Sequence, residues 1–413
     1  VDVATPWTLI RSNSRFRRLW FAQLISMGGD FINQVALSAL IYERTGQATM
    51  VAALAVATNL PLFLASPWAG VAADRFHRIR LMFRCDLIRA VLVLALLAVV
   101  RPGGLPLWVA LLVVALTETV SAFFEPASAA ALPGVVSPQE LPAAISLSSA
   151  SWSVMLALGA ALGGLICTRL GTGAAIWANS LSFLLSALLI ASLQVDTVQG
   201  EEIPPMRPLQ DLLDGCSHVI ERPRLGALLL IKVAFGVGTG VLALLTVLPM
   251  QVLGAGQSGV AMLFSARGLG AVAGPVAAHR LARSSVLGRA RWAGWGVVFT
   301  GLFYLLVSQA LSLKAAALWV VLAHVGSGLQ WVLSTTLLQQ SVDDAFRGRV
   351  MAFDFAGVTL AMSVSTLLFG QAIDHFGVRP AGGAAALLMV AMGILWLTLF
   401  TVWRRPLFEE VPA

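Results

Sequence analysis

The stretch GVAADRFHRIR, residues 70–80, places Asp74, Arg75, His77, Arg78 and Arg80 between two runs of apolar residues. About 20 apolar residues cross a bilayer core of roughly 30 Å as a helix. Residues 48–71 and 81–100 both meet that length, so the stretch reads as a short polar turn between two membrane spans. Working outward by the same rule gives spans at 19–42, 48–71, 81–100, 106–126, 142–168 and 173–194. A second set follows at 225–252, 258–279, 292–310, 315–338, 350–372 and 381–403. The expectation is an all-α polytopic membrane protein with twelve transmembrane helices. Its domains would be a six-helix bundle over 1–194, a cytoplasmic linker over 195–224 and a second six-helix bundle over 225–413.

Composition supports this. Of 413 residues, 58% are hydrophobic and 11% charged, with mean hydropathy +0.86, whereas soluble domains carry about 25% charged residues. The net charge of +7 is scattered between apolar runs, which argues against a nucleic-acid partner. Cys85, Cys167 and Cys216 sit apart and form no metal or disulfide pattern. The first apolar run is too long for a signal-peptide core. With both termini inside, 19 of the basic residues fall in inner segments and five (Arg44, Arg101, Arg169, Lys314, Arg379) in outer loops, so the positive-inside rule places both ends in the cytoplasm. In the linker, Leu209, Leu212, Leu213 and Ile220 suggest a short interfacial helix; an ordinary solvated linker fits as well.

Residues 70–80 resemble motif A of the major facilitator superfamily, G-x-x-x-D-R-x-G-R, through Gly70, Asp74, Arg75 and Arg78, with His77 where Gly is usual. The stretches SAFFEPASAAALPGVVSPQELPAAISLSSASWS, WANSLSFLLSALL and LLQQSVDDAFRGRVMAFDF resemble the macrolide-efflux-like branch. The resemblance implies the major facilitator fold of two pseudo-symmetric bundles. It also implies a conformational latch, in which Asp74 faces the start of helix 11 near Asp354 and Arg78 meets Glu125 on helix 4; Asp86 and Arg89 join that cluster or form a plain surface pair. Two features depart from the antiporter pattern. Ala160 stands where motif C has Pro, so residues 159–164 read equally as close packing, and no Arg or Lys lies between 106 and 126.

An ionisable group at mid-bilayer costs at least about 2.5–3.5 kcal/mol and normally faces a cavity or a partner. In this superfamily helices 1, 4, 7 and 10 line the cavity, and these spans contain Asp30, Glu118, Lys232 and His324. Glu118 and Asp30 are the candidates to take up and release protons, each with a structural ion pair as its alternative. Asn33, Gln34 and Gln23 share the face of Asp30. Lys232 could bind an anionic substrate group, neutralise Glu118 or snorkel to the interface. His324 titrates or packs, and Arg267 lies similarly deep. Gln330 is a further cavity candidate. Gly236, Gly238 and Gly240 allow bending or close packing.

The sequence contains no Walker A, H-E-x-x-H or G-x-S-x-G pattern, so neither ATP-driven pumping nor enzymatic chemistry is expected, and no cofactor or metal. The expected function is proton-coupled export of drug-like or siderophore-like amphipathic molecules by rocking alternating access, as a monomer in the bacterial inner membrane. A lysophospholipid or other zwitterion transporter, an uncoupled facilitator and a non-transporting receptor remain as alternatives.

Overall fold

In a bilayer only helices or closed barrels satisfy the backbone, and the described residues form helices with no strand. The computed structural model describes residues 6–101, 103–193, 210, 216–281, 284–343 and 346–408. After a short helix, Pro6–Ser12, come α1 (Ser14–Thr45), α2 (Ala48–Arg75), α3 (Arg78–Ala95), α4 (Leu107–Ala131), α5 (Leu141–Leu170) and α6 (Thr172–Ala191). The later helices are α7 (Pro223–Val237), α8 (Gly256–Leu281), α9 (Val286–Ser308), α10 (Leu313–Ser341), α11 (Arg347–Phe376) and α12 (Val378–Phe408). Among the described residues, eleven segments are long and apolar enough to cross a membrane. The remaining expected span, α3, is too rich in charge, because Arg78, Arg80, Arg84, Asp86 and Arg89 fall within it. Leu209, Leu212 and Leu213 of the expected linker helix lie outside the described residues.

The chain divides into two compact units, Val1–Ile41 with Ala57–Met206 and Tyr42–Val56 with Arg207–Ala413. In the first, glycines let helices meet backbone to backbone. A Cβ on Gly159 would stand 2.9 Å from the Gly28 carbonyl oxygen, and one on Gly163 2.9 Å from Ile32 Cα. Residues 159–164 thus press α5 onto α1, the close-packing reading of the stretch that lacks the motif C proline.

In the second unit, Gly270 and Gly274 of α8 pack on α10, and Gly296 of α9 meets the Gly326 carbonyl of α10. Gly236 packs on α11 and Gly238 on α12. The course of α7 is also irregular: a 3-10 turn follows at Thr239–Ala243 and a π-turn at Leu248–Val252, where Pro249 removes a backbone donor. Close packing thus accounts for Gly236 and Gly238, while Gly240 lies within the irregular stretch. The N-terminal end of α2 also belongs to this unit. Asp374 accepts hydrogen bonds from the amides of Ala48 (2.6 Å) and Thr49 (2.9 Å) and from the Thr49 hydroxyl (2.6 Å).

One turn occurs in both units. Gly171 (φ 83°, ψ 167°) separates α5 from α6, and Gly377 (φ 87°, ψ 165°) separates α11 from α12. Only glycine takes that conformation without strain. The repeat is thus visible at corresponding points of the two halves.

Candidate functional site

Helix α3 buries one stripe, Ile79, Met82, Cys85, Asp86, Arg89, Ala90 and Val93, the three- and four-residue spacing of a single face. Asp86 and Arg89 lie on it, so both enter the interior of the first unit. They form an ion pair with side chains 0% and 4% exposed, which overturns the surface-pair reading. Ser186 of α6 donates to Asp86 at 2.6 Å, and Arg89 donates to Ser121 of α4 at 3.3 Å. The Arg89 guanidinium lies between the rings of Phe124 (4.5 Å) and Phe183 (4.4 Å), which hold it by cation–π attraction.

Around this cation stand the other carboxyl groups. Glu118 stands beside Ser121, the residue that also binds Arg89. Asp30 stands beside the Asn179 side chain, at a point where Gly29 lets α1 close on Asn179 and Ser182 of α6. Asp30, Glu118 and Glu125 all lie within the electrostatic reach of Arg89. Asp30 and Glu118 are half-buried and Glu125 is exposed. Gln23 donates to Ser128, Asn33 is buried and Gln34 half-buried.

The motif A residues are disposed differently from the resemblance. Arg78 donates to the Ala130 carbonyl at 2.8 Å and to that of Ala73 at 3.4 Å, and Glu125 has Arg89 as its cationic neighbour. The reason is axial level: Ala130 lies opposite Arg78, while Glu125 is five residues, about 7.5 Å, further along α4. Arg75 is exposed and Gly70 half-buried; the Asp74 side chain lies outside the described ones. His77 has φ −61°, a conformation open to any residue, so the replaced glycine costs no backbone strain.

In the second unit Lys232 of α7 is buried, forms an ion pair with Asp354 of α11 and has its ammonium 4.9 Å over the Trp331 ring. It does not snorkel, and Asp354, expected in the latch, is its partner. His324 is enclosed, with Nε2 2.8 Å from the Tyr304 hydroxyl and Nδ1 3.0 Å from that of Ser327. That is the packing arrangement rather than a free titrating ring. Arg267 is half-buried beside this chain. Gln330 is fully buried against Gly296 of α9, so it is a packing group and lines no open surface.

Among the described residues no cluster of His, Cys, Asp and Glu could hold a metal ion. Sequence reasoning missed Ser121, Asn179, Ser186 and Tyr304. Asn179 and Ser186 could have been found as part of a polar stripe, because Asn179, Ser182 and Ser186 repeat at helical spacing on α6.

The sequence model of the family described as "transmembrane secretion effector" matches residues 4–405. BacE of Bacillus subtilis (strain 168), whose name provisionally assigns it bacilysin export, is 24% identical over 87% of this chain and 88% of its own. Macrolide efflux protein A of Streptococcus pyogenes is 25% identical over 52% of this chain and 54% of its own length. The crystal structure of a mutant POT peptide transporter in complex with sulfate shares the fold with a TM-score of 0.77 at 13% identity, over 94% of this chain and 95% of that one. The chain is a membrane transporter and not an enzyme: it belongs to the transmembrane secretion effector family of the major facilitator superfamily.

Proposed function

We propose that the chain is a secondary active exporter of amphipathic small molecules, coupled to protons through Glu118 and Asp30 of the first unit. The observation that carries this is the charge balance around Arg89. Asp86, Asp30, Glu118 and Glu125 share one buried guanidinium. Carboxylates in excess of their cations are costly at membrane depth, and protons are counter-ions that can arrive and leave. Asp86 has Arg89 and Ser186 as fixed partners and Glu125 is exposed, which leaves Glu118 and Asp30 for exchange.

Protonation biases a two-state transporter by the differential affinity of its states for the proton. One proton moving down 100 mV contributes about 2.3 kcal/mol, roughly a fiftyfold bias in substrate distribution. The efflux named for the relatives supports an outward direction, and a drug-like or siderophore-like cargo follows from the family resemblance. The basic inner segments support a bacterial inner membrane with both termini cytoplasmic. We assign Arg78, bound to the end of α4, the role of making the loop at 70–80 move with the first unit during alternating access.

Proteoliposomes under an imposed pH gradient test the reading, with fluorescent amphipathic dyes as cargo. Native flux should rise with the gradient. Glu118→Gln should abolish that dependence while leaving dye binding intact. Flux that ignores the gradient in the native chain contradicts proton coupling and leaves a facilitator.

A further inference from the structure

Among the described residues, Arg267 is a cation inside the second unit that has no carboxylate partner there. Between Glu221 and Asp343 the sequence contains neither Asp nor Glu, so α7 to α10 bring no carboxylate to Arg267, and α12 has none either. Asp354 is already taken by Lys232. Asp343 pairs with Arg222, Asp374 caps α2, and Glu43 accepts from Gln257 at 2.9 Å; all three lie at helix ends. Arg267 itself takes part in none of the ion pairs among the described residues.

Its direction is fixed by the glycines beside it. Arg267, Gly270 and Gly274 share one face of α8, and that face meets α10. A Cβ on Gly270 would stand 2.7 Å from His324 Cβ, and one on Gly274 2.6 Å from Gly328 Cα. The guanidinium therefore leaves α8 one turn from His324. Tyr304 and His324 lie within its electrostatic reach, but they are 0% and 5% exposed and hydrogen-bonded to each other, with Ser327 on the far ring nitrogen. This neutral chain can buttress a guanidinium, yet it supplies no negative charge. A half-buried cation at such depth is costly unless it meets an anion.

We propose that Arg267 binds a carboxylate of the transported molecule, with the Tyr304–His324–Ser327 chain as its positioning device, so that the cargo is an amphipathic acid or zwitterion. The planar fork of Arg matches a carboxylate with two parallel hydrogen bonds. The inference rests on the export reading and narrows its substrate class.

The test compares a rhodamine free acid with its methyl ester, which differ only in that carboxylate. Binding is measured by anisotropy in lipid nanodiscs and flux in proteoliposomes. The native chain should bind and move the acid about tenfold better than the ester. Arg267→Gln should remove the acid's advantage, bringing the ratio of acid to ester to about one, and Arg267→Lys should keep part of the preference. Equal binding of acid and ester by the native chain overturns the proposal and needs no variant, so a misfolded Arg267→Gln does not shield it. An equal fall for both dyes in Arg267→Gln with native-like folding also overturns it. Arg267-dependent acid binding without flux would keep this site and remove export. Flux indifferent to the carboxylate would keep export and remove this site.

Discussion

The two units share the turn at Gly171 and Gly377 but differ in what they carry into the membrane. The first gathers four carboxyl groups around the one guanidinium of Arg89. The second neutralises Lys232 with Asp354 and leaves Arg267 beside neutral hydroxyls and an imidazole. A repeat built twice has thus been charged in opposite senses. The physical lesson is that helix packing, fixed by small residues at crossings, constrains charge placement little. Charge can therefore be dealt unequally to two similar scaffolds, and we propose that the acids of one serve protons and the base of the other an anionic group.

The comparison can be broken at its ion pairs, where the largest effects are expected. Arg89→Ala leaves Asp86 buried without its cation, and removing one partner of a buried pair costs about 3–5 kcal/mol. A thermal melt in detergent should show severe destabilisation, partly recovered by adding Asp86→Asn. Lys232→Met should cost a similar amount by stranding Asp354, and Lys232→Met with Asp354→Leu should return close to native stability, because apolar replacement of a whole buried pair is often neutral. Gradient-driven flux should survive that double variant if the second unit handles no protons; its loss would erase the asymmetry.

Smaller effects come from the scaffold. Gly163→Val places a side chain against the Ile32 backbone and should cost about 1–3 kcal/mol by overpacking, measured by the same melt. Tyr304→Phe removes one hydrogen bond to His324 and should cost about 1 kcal/mol while weakening the acid preference assigned to Arg267. Unchanged selectivity would show that the hydroxyl plays no positioning part.

Much of the fold was legible because length and hydropathy fix membrane helices almost alone. Eleven of the expected spans fall on described segments long and apolar enough to cross a membrane, mostly with added residues at their ends, since helices continue past the apolar core into the interface. Charge made α3 the ambiguous span, and the same charge hid the centre of the candidate site. Asp86 and Arg89 read as an inner-end pair because their i, i+3 spacing also suits a surface. The apolar stripe Ile79, Met82, Ala90 and Val93 on their own face was the signal that they point inward. Glu118 and Asp30 were legible as rare acids in apolar spans. The meeting of Asp30 with Asn179 and of Asp86 with Ser186 on α6 was not, because partners on different helices depend on packing that no single helix records. Lys232 shows the same limit: its depth was evident, but its partner lies 122 residues away.

Infrared difference spectroscopy of the protein in lipid, stepped between acidic and alkaline pH, tests the assignment of protons to the first unit most directly. A protonated carboxyl stretch that appears on acidification should be diminished by Glu118→Gln and by Asp30→Asn and left unchanged by Asp354→Asn. A band removed by Asp354→Asn and indifferent to Glu118→Gln would place the exchanging proton in the second unit and contradict the account.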